Sequence, residues 1–263
     1  MAKHYLDQII QRKMTEVKLL KDTFNHSRPA IHPAPKNDLF ARALRTKPIA
    51  VIAEIKRRSP SRGHLNLIEN PVELALEYCK GGASAISVLT DNEGFGGSLL
   101  DLQHIANAVA EKFPRVPILR KDFIVDTVQL KESAHAGAHC VLLIARVLKD
   151  KLADFIDEAT RLGLETLTEV HDEKDIAIAN QARAPIVGIN HRDLSSFTID
   201  LTISNRLRPL LHKTCLSVAE SGIQSAQHAD HMQQLGYDAI LVGEALVTAK
   251  NPAAVIRQMR GGA

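Results

Sequence analysis

The sequence of 263 residues contains no tryptophan, and aromatic residues make up only 4% of it. Proteins that bind single-stranded nucleic acid stack the bases on aromatic side chains, so this composition argues against such a surface. The formal net charge is only +3 and the basic residues are scattered, which does not favour a DNA or RNA surface either. We therefore expect no nucleic-acid partner, whereas a small anionic ligand is compatible with this charge.

Cysteine is scarce as well. Cys79, Cys140 and Cys215 are far apart, with no CxxC pair and no metal-ligand spacing, so we expect three reduced, buried thiols. His26, His32, His64, His104, His135, His228 and His231 show neither HxxxH spacing with one another nor carboxylate-paired spacing. We expect them at the surface or at helix caps, and we predict no metal site.

Long apolar segments are also missing. No stretch reaches ~18 apolar residues, and the N-terminus lacks the apolar core of a secretion signal, so we expect no membrane span and a cytoplasmic location. Hydrophobic residues make up 45% and charged residues 24%, a balance typical of a chain with a sizeable core. We predict a single domain over residues 1–263, because α/β barrels of ~250 residues fold as one unit.

What the chain does contain is a short apolar run that recurs every ~20 to 35 residues, with helical patterns between the runs. The eight runs lie at 49–55, 83–90, 116–121, 139–145, 164–170, 185–190, 215–220 and 239–244. Runs that are apolar on both faces suit parallel strands covered by helices, and eight such units predict a closed (βα)₈ TIM barrel. The alternative, an open doubly wound sheet, normally shows GxGxxG after its first strand, and this sequence does not.

The segment before the first run has a pattern of its own. Apolar residues fall at helical spacing over 5–24, and a proline-rich linker and a short helix at 39–44 follow. We expect residues 1–48 to form an N-terminal helical extension of the barrel.

Polar residues end five of the eight runs. They are Glu54 and Lys56 at the end of the first run, Lys121 and Asp122 at the end of the third, Glu169 at the end of the fifth, Asn190 and Arg192 at the end of the sixth, and Glu220 and Ser221 at the end of the seventh. The active site of a (βα)₈ barrel lies where its strands end, so these side chains are expected to converge on one mouth. Carboxylates and lysines brought together there can hold shifted pKa values and act as acids and bases. Ordinary solvated rim residues are the alternative interpretation.

Small residues at the last two strand ends provide a second signal. Ser221, Gly222 and Gly243 expose backbone N–H groups at the place where barrels often bind a phosphate dianion. Plain tight turns would have the same composition.

Two further loops contain candidate ligand contacts. Ser59 and Ser61, in the basic loop after the first run, offer hydroxyl groups to a phosphate or a carboxylate. Phe95 lies between glycines after the second run, where a mobile loop could fold an aromatic ring over a ligand. A solvated loop and an incidental phenylalanine are the alternatives.

Seven segments resemble those of the indole-3-glycerol phosphate synthase family, in order and at the expected strands. They are AEIKRRSPSRG, SVLTDNEGFGGS, ILRKDFIVD, LTEVHD, GINHRDL, AESGI and LVGEAL. The resemblance extends over nearly the whole chain. It implies ring closure of 1-(2-carboxyphenylamino)-1-deoxyribulose 5-phosphate, with loss of CO₂ and water, to indole-3-glycerol phosphate in tryptophan biosynthesis. It implies no cofactor and no metal.

The resemblance also implies roles for individual residues. Lys121 is similar to the family's catalytic acid, which protonates the substrate's ketone oxygen, and Glu169 is similar to its partner in proton transfer during dehydration. Lys56 is similar to the lysine that binds the substrate carboxylate and can itself act as an acid. The other implied site residues are Glu54 and Glu220 around the reacting amine and hydroxyls, Asn190 and Arg192 as orienting groups, Ser61, Ser221, Gly222 and Gly243 at the phosphate, and Phe95, Phe123 and Leu143 in an apolar pocket. Partial burial or a neighbouring Lys56 could lower the pKa of Lys121, whereas the nearby glutamates act in the opposite direction.

Other functions stay open at this stage. The chain could be another phosphate-binding barrel, such as a phosphoribosylanthranilate isomerase or an aldolase in which Lys121 forms a Schiff base. It could also be a catalytically inert phosphosugar-binding protein. His191 departs from the asparagine that is more usual in the family motif, and strand alternation predicts that it points away from the mouth. Since the sequence ends soon after the eighth run, we expect a monofunctional enzyme. No feature of the sequence indicates the oligomeric state, and a monomer is the default expectation.

Overall fold

The computed structural model describes residues 3–27, 38–59, 63–64, 68–193 and 196–262. Each of the eight predicted runs contains one strand of a barrel. The strands are β1 (Ala50–Ile55), β2 (Ala85–Leu89), β3 (Ile118–Lys121), β4 (Cys140–Ile144), β5 (Glu165–Val170), β6 (Ile186–Asn190), β7 (Leu216–Glu220) and β8 (Ala239–Val242). A short antiparallel ribbon after β1 pairs Arg58–Ser59 with Gly63–His64.

The eight strands form a closed barrel in the order β1-β8-β7-β6-β5-β4-β3-β2. Strand β1 closes the sheet because Ile52 pairs with Ala85 of β2 on one side and with Leu241 of β8 on the other. All of these pairings are parallel, so the carboxyl ends of the strands meet at one mouth. The predicted (βα)₈ barrel is confirmed, and the open doubly wound sheet is excluded.

Two helices precede the barrel, as the sequence predicts: α1 (Lys3–Ser27) and α2 (Leu39–Leu44). Helix α2 closes the floor of the barrel, where Phe40 is fully buried among inward-facing side chains. The Glu165 carboxylate accepts hydrogen bonds from the backbone amides of Phe40 (2.6 Å) and Ala41 (2.9 Å). These bonds fix α2 to the first residue of β5.

Helices connect the strands on the outside of the barrel. Those that the structure describes are α3 (Pro71–Lys80), α4 (Asn92–Phe95), α5 (Leu99–Lys112), α6 (Thr127–His135), α7 (Ala145–Leu148), α8 (Leu152–Arg161), α9 (Glu173–Gln181), α10 (Ile203–Leu207), α11 (Ala226–Gln234), α12 (Glu244–Val247) and α13 (Pro252–Met259). Side-chain oxygens of Asn70, Asp126 and Ser225 accept hydrogen bonds from the first amides of α3, α6 and α11. These caps define where the helices begin.

The core has two layers because successive side chains along a strand point to opposite faces. Ile52, Leu119 and Leu167 point inwards and fill the barrel. Val51 and Val141 point outwards and pack against the surrounding helices. Both layers are fully buried, which explains why the runs are apolar on both faces.

Of the three cysteines, Cys79 and Cys140 are buried and Cys215 is partly buried, and all three are free thiols. Among the described residues, no group of three histidine, cysteine or acidic side chains could hold a metal ion. No helix in that part of the chain has both the length and the apolar character needed to cross a membrane.

Candidate active site

A cavity opens at the carboxyl ends of the barrel strands. Twelve of the predicted site residues line it, namely Glu54, Lys56, Phe95, Lys121, Phe123, Glu169, Asn190, Arg192, Glu220, Ser221, Gly222 and Gly243. These residues are spread over nearly two hundred positions of the sequence, and the closed barrel brings them to one mouth. The cavity therefore contains cations, carboxylates and aromatic rings in one enclosed place.

Three of the predicted site residues are not among those that line the cavity. Leu143 packs in the outward-facing layer of the core, whereas its neighbours Leu142 and Ile144 line the cavity. The assignment of Leu143 to the apolar pocket is wrong, because a shift of one residue along a strand moves a side chain to the opposite face. Ser61 lies outside the described residues, and so does the side chain of Ser59.

Lys121, the last residue of β3, lies between two carboxylates. Its Nζ is 3.1 Å from Oε2 of Glu169, in β5, and 3.5 Å from Oε2 of Glu220, in β7. The two glutamate side chains are 4% and 1% exposed, and that of Lys121 is 14% exposed. The side chain of Lys121 is therefore held nearly out of water, and it lines the cavity.

The pKa of Lys121 is decided by its acidic neighbours. Burial lowers this pKa, but the negative charges of Glu169 and Glu220 outweigh burial, and the net shift is upward. The sequence left open which effect prevails, and in the structure the glutamates prevail. Lys121 is consequently an ammonium ion at neutral pH, which makes it a proton donor and not a nucleophile.

Glu169 and Glu220 share Lys121 but have opposite pKa shifts. Burial raises the pKa of Glu169, but positive charge, above all that of Lys121, and hydrogen bonds lower it to about 2. Burial raises the pKa of Glu220 to about 8, although Lys121 acts in the opposite direction. Two neighbouring groups with divergent pKa values are typical of a catalytic acid and base.

Asn190, at the end of β6, orients Glu169. Its side chain donates a hydrogen bond to Glu169, and its Oδ1 accepts one from the backbone amide of Arg192 at 3.0 Å. The Arg192 guanidinium in turn donates to the backbone oxygen of Phe197 at 3.2 Å. The loop after β6 therefore holds the carboxylate of Glu169 in one direction.

Glu54 and Lys56 form a second ion pair, at the end of β1, with 2.7 Å between Oε1 and Nζ. They are two residues apart, so they point to the same side of the strand. A β-carbon on Gly243 would lie 2.6 Å from Oε1 of Glu54 and 3.2 Å from Nζ of Lys56. Glycine at the end of β8 thus leaves the space that this ion pair occupies.

Gly188, in β6, is a site residue that sequence reasoning missed. A β-carbon at this position would overlap Oε1 of Glu220. The Glu220 carboxylate can lie this deep in the barrel only because residue 188 has no side chain. Nothing in the segment PIVGIN signals this, because an isolated glycine in a strand is equally typical of a bulge.

His171 is a second residue that was missed. Its Nε2 lies 3.3 Å from Oε1 of Glu169, and its Nδ1 lies 3.4 Å from Oδ2 of Asp175. The same Asp175 oxygen accepts a 2.8 Å hydrogen bond from Nε of Arg146. The i,i+4 spacing of His171 and Asp175 in the sequence is the signal that could have found this pairing.

The turn after β7 has a backbone suited to anions. Ser221 and Gly222 both have positive φ, 65° and 81°. Backbones that leave the right-handed region in this way can present successive N–H groups to one side, which makes an anion-binding concavity. Among the hydrogen bonds of the described residues, none uses the backbone amide of Gly222 or of Gly243.

Aromatic rings also line the cavity. The rings of Phe95 and Phe123 have their centroids 6.1 Å apart. Tyr5, from α1, meets Phe197 edge to face, with the centroids 5.3 Å apart. Helix α1 therefore contributes directly to the cavity, which Tyr5 and its neighbour Leu6 line.

Lys13 fastens α1 over the mouth. Its buried Nζ lies 2.9 Å from Oδ1 of Asp91 and 3.0 Å from Oδ1 of Asp122, the residue that follows Lys121. Burial raises the pKa of Asp122, but Arg120 and Lys13 outweigh it and hold this pKa well below its usual range. The N-terminal extension is thus tied to the strand end that carries Lys121.

Comparisons with known proteins agree with this geometry. A model of the family described as indole-3-glycerol phosphate synthase matches residues 6–259. A relative of that name from Roseiflexus sp. strain RS-1 is 44% identical over 268 residues, covering 98% of this chain and 98% of the relative. Another, from Dehalococcoides mccartyi strain CBDB1, is 43% identical over 229 residues, covering 86% of this chain and 87% of the relative. This chain belongs to the indole-3-glycerol phosphate synthase family.

Membership of the indole-3-glycerol phosphate synthase family confirms the resemblance that the seven motifs indicated. It also confirms the predicted enzyme class, a carboxy-lyase of tryptophan biosynthesis.

Solved structures of other barrels are similar in fold alone. A 3-hexulose-6-phosphate synthase from Salmonella typhimurium has a TM-score of 0.61 at 15% identity, covering 81% of this chain and 97% of the other. An N-acetylmannosamine-6-phosphate 2-epimerase from Clostridium perfringens has a TM-score of 0.61 at 14% identity, covering 88% and 98%.

Proposed function

We propose that this chain closes the indole ring of 1-(2-carboxyphenylamino)-1-deoxyribulose 5-phosphate, releasing CO₂ and water and giving indole-3-glycerol phosphate. The observation that carries this proposal is the position of Lys121 between Glu169 and Glu220, in a cavity that is also lined by the rings of Phe95 and Phe123 and by the turn after β7. The substrate has the matching parts: an aromatic ring, a reactive ketone and a phosphate.

The cavity accounts for the binding of each part. The phosphate binds the amides of the turn at Ser221 and Gly222, and Gly243 lies beside it at the end of β8. The anthranilate ring lies against Phe95 and Phe123, whose apolar surface excludes water. These two contacts place the ketone near Lys121.

Ring closure forms a carbon–carbon bond between the carboxylate-bearing ring carbon and the ketone carbon. Lys121 stabilises the negative charge that develops on the ketone oxygen and gives it a proton. Its raised pKa does not prevent this step, because an alkoxide is a far stronger base than an amine. The carbon–carboxylate bond then breaks, CO₂ leaves, and its electron pair restores the aromatic ring.

Dehydration completes the indole. The hydroxyl group leaves as water with a proton from an acid, and a base removes a proton from the substrate to form the new double bond. Glu169 is ionised, because its pKa is held at about 2, and it acts as the base that takes up this proton. Lys56, which is paired with Glu54, binds the substrate carboxylate and is the second proton donor.

A Schiff-base aldolase is the main rival, and the electrostatics of Lys121 argue against it. A nucleophilic lysine needs a lowered pKa, whereas Glu169 and Glu220 raise this one. Treatment with borohydride and a ketose phosphate separates the two reactions. The proposal predicts no covalent adduct on Lys121, and a trapped adduct there would establish the aldolase.

The proposed reaction is tested by turnover of the named substrate by purified protein. The indole product fluoresces, and the chain has no tryptophan to interfere. We expect indole-3-glycerol phosphate, measured by its fluorescence, and CO₂ to appear in equal amounts. A folded protein that binds the substrate without releasing CO₂ would instead be an inert binding barrel.

We propose that the enzyme works as a cytoplasmic monomer without metal or organic cofactor. The steps above support a reaction without metal or cofactor, because side chains alone supply each proton donor and acceptor. Activity that survives dialysis against a chelator, and a light-scattering mass near 28.9 kDa, are the expected results. A chelator-sensitive rate or a dimeric mass would refute the corresponding part.

A further inference from the structure

His191 follows the last residue of β6, and its side chain is buried outside the cavity. Its Nδ1 lies 2.7 Å from the backbone oxygen of Glu220 and 3.1 Å from that of Ser221. Its Nε2 lies 2.6 Å from Oγ of Ser204, in α10. The imidazole therefore connects the turn after β7 to a helix on the outside of the barrel.

The chemistry of the partners fixes the direction of these hydrogen bonds. A carbonyl oxygen can only accept, so Nδ1 of His191 carries a proton and donates it. Burial lowers the pKa of His191, which keeps the ring neutral, and Nε2 then accepts from the Ser204 hydroxyl. Oγ of Ser204 is also 2.7 Å from the hydroxyl oxygen of Tyr237, which donates to it. The donors thus run from Tyr237 through Ser204 and His191 to the two carbonyl groups.

The two carbonyl groups belong to the peptides that carry the phosphate turn. In a trans peptide the C=O and the following N–H point in opposite directions. Because the oxygen of Ser221 faces His191, behind the cavity, the amide of Gly222 faces the opposite side, where the cavity lies. The oxygen of Glu220 likewise fixes the amide of Ser221.

We propose that His191, as the neutral Nδ1–H tautomer, is a positioning residue that aims the amides of Ser221 and Gly222 at the substrate phosphate. This inference rests on the proposed function, in which that turn binds the phosphate. It assigns a task to a residue that differs from the asparagine more usual in the family motif. Ser204 and Tyr237 select the tautomer, since the hydrogen bond at one ring nitrogen sets the protonation of the other.

Two substitutions of His191 distinguish the effect of its hydrogen bond from the effect of its size. The Nδ2 of asparagine takes approximately the place of the imidazole Nδ1, so His191→Asn keeps a donor near the carbonyl groups. His191→Leu keeps a side chain of similar size without a donor. We expect His191→Leu to weaken binding of inorganic phosphate and to raise KM for the substrate, each about 10-fold, the effect of one lost hydrogen bond. His191→Asn stays within about 3-fold of the native protein, and kcat changes less than KM in both variants.

The tautomer itself is tested on the native protein. In ¹⁵N-histidine-labelled full-length chain at pH 7, NMR is expected to show His191 neutral and protonated at Nδ1. Tyr237→Phe, which removes the first donor of the chain, is expected to increase the share of the other tautomer. Equal phosphate affinity in the native, Asn and Leu proteins, or an Nε2–H or cationic His191, overturns the proposal. Neither the phosphate titration nor the NMR experiment requires turnover, so both test His191 even if the proposed reaction fails.

Discussion

The carboxylate of Glu220 occupies the space that a side chain on Gly188 would fill. The two residues lie on neighbouring strands, β6 and β7, and are offset by two positions in the register, since Gly188 pairs with Val218 and Asn190 pairs with Glu220. The carboxylate folds back over the glycine toward the barrel interior. The depth at which Glu220 meets Lys121 is therefore set by Gly188, which is not among the residues that line the cavity.

Gly188→Ala is expected to move the Glu220 carboxylate and to slow turnover. A displacement of about 1 Å of a catalytic group can cost about 10²-fold in rate, and we expect kcat to fall by that order. Steady-state kinetics and circular dichroism of the variant provide the measurement. If the effect acts through Glu220, adding Gly188→Ala to Glu220→Ala causes little further loss. A full additional loss in the double variant contradicts this explanation.

Glu220 also makes stability depend on pH. Its pKa is about 8 in the folded protein and about 4.5 in an unfolded chain, so the folded state retains a proton that the unfolded state has lost. This contribution to stability is fully present below pH ~4.5, declines as the pH rises to about 8, and is lost at higher pH. We expect Glu220→Gln to become more stable relative to the native protein over this interval, by a few kcal/mol. Urea unfolding at pH 5 to 9 measures the difference, and a pH-independent difference is the contrary result.

Lys13→Met is expected to release α1 from the mouth. The substitution removes the buried cation that Asp91 and Asp122 share, while Arg12 still pairs with Asp91 and Arg120 with Asp122, so we expect a cost of about 1.5–3 kcal/mol. We expect a higher KM and faster proteolysis within α1. Lys18→Met, at an exposed position of the same helix, is the matched control and should behave like the native protein. An unchanged KM in Lys13→Met argues against a role of Lys13 in holding α1 over the mouth.

His171→Asn is expected to lower kcat about 10-fold, because Glu169 loses the neighbour that lies 3.3 Å from its Oε1. The KM should change little, since His171 does not line the cavity. His104→Asn, on the exposed surface of α5, is the control. Equal kcat values in the two variants would mean that His171 has no part in orienting Glu169.

The barrel was predictable because its signal is local. Strands covered on both faces must be apolar throughout, and each of the eight runs, such as 164–170, contains its strand. The polar strand ends were predictable for the same reason, since Lys121 and Glu169 interrupt otherwise apolar segments. The single-domain organisation over 1–263 stays a prediction.

The remaining features depend on contacts between residues that are far apart in the sequence, and these contacts form only in the folded protein. Leu143 was assigned to the apolar pocket from the family resemblance, and a run that is apolar on both faces does not show which of its side chains point inwards. The pairing of Lys13 with Asp122, and of Gly188 with Glu220, joins residues that are remote in the chain and become neighbours only when the barrel closes. The upward shift of the Lys121 pKa required the distances to its carboxylates.

The central claim is that Lys121 and Glu169 carry out ring closure and dehydration in this cavity. The most direct test compares kcat of the native protein with those of Lys121→Ala and Glu169→Gln, while substrate binding and folding are measured in parallel. We predict indole-3-glycerol phosphate formation by the native protein and a loss of ~10²-fold or more in each folded, substrate-binding variant. Native-like turnover in either variant would contradict the account.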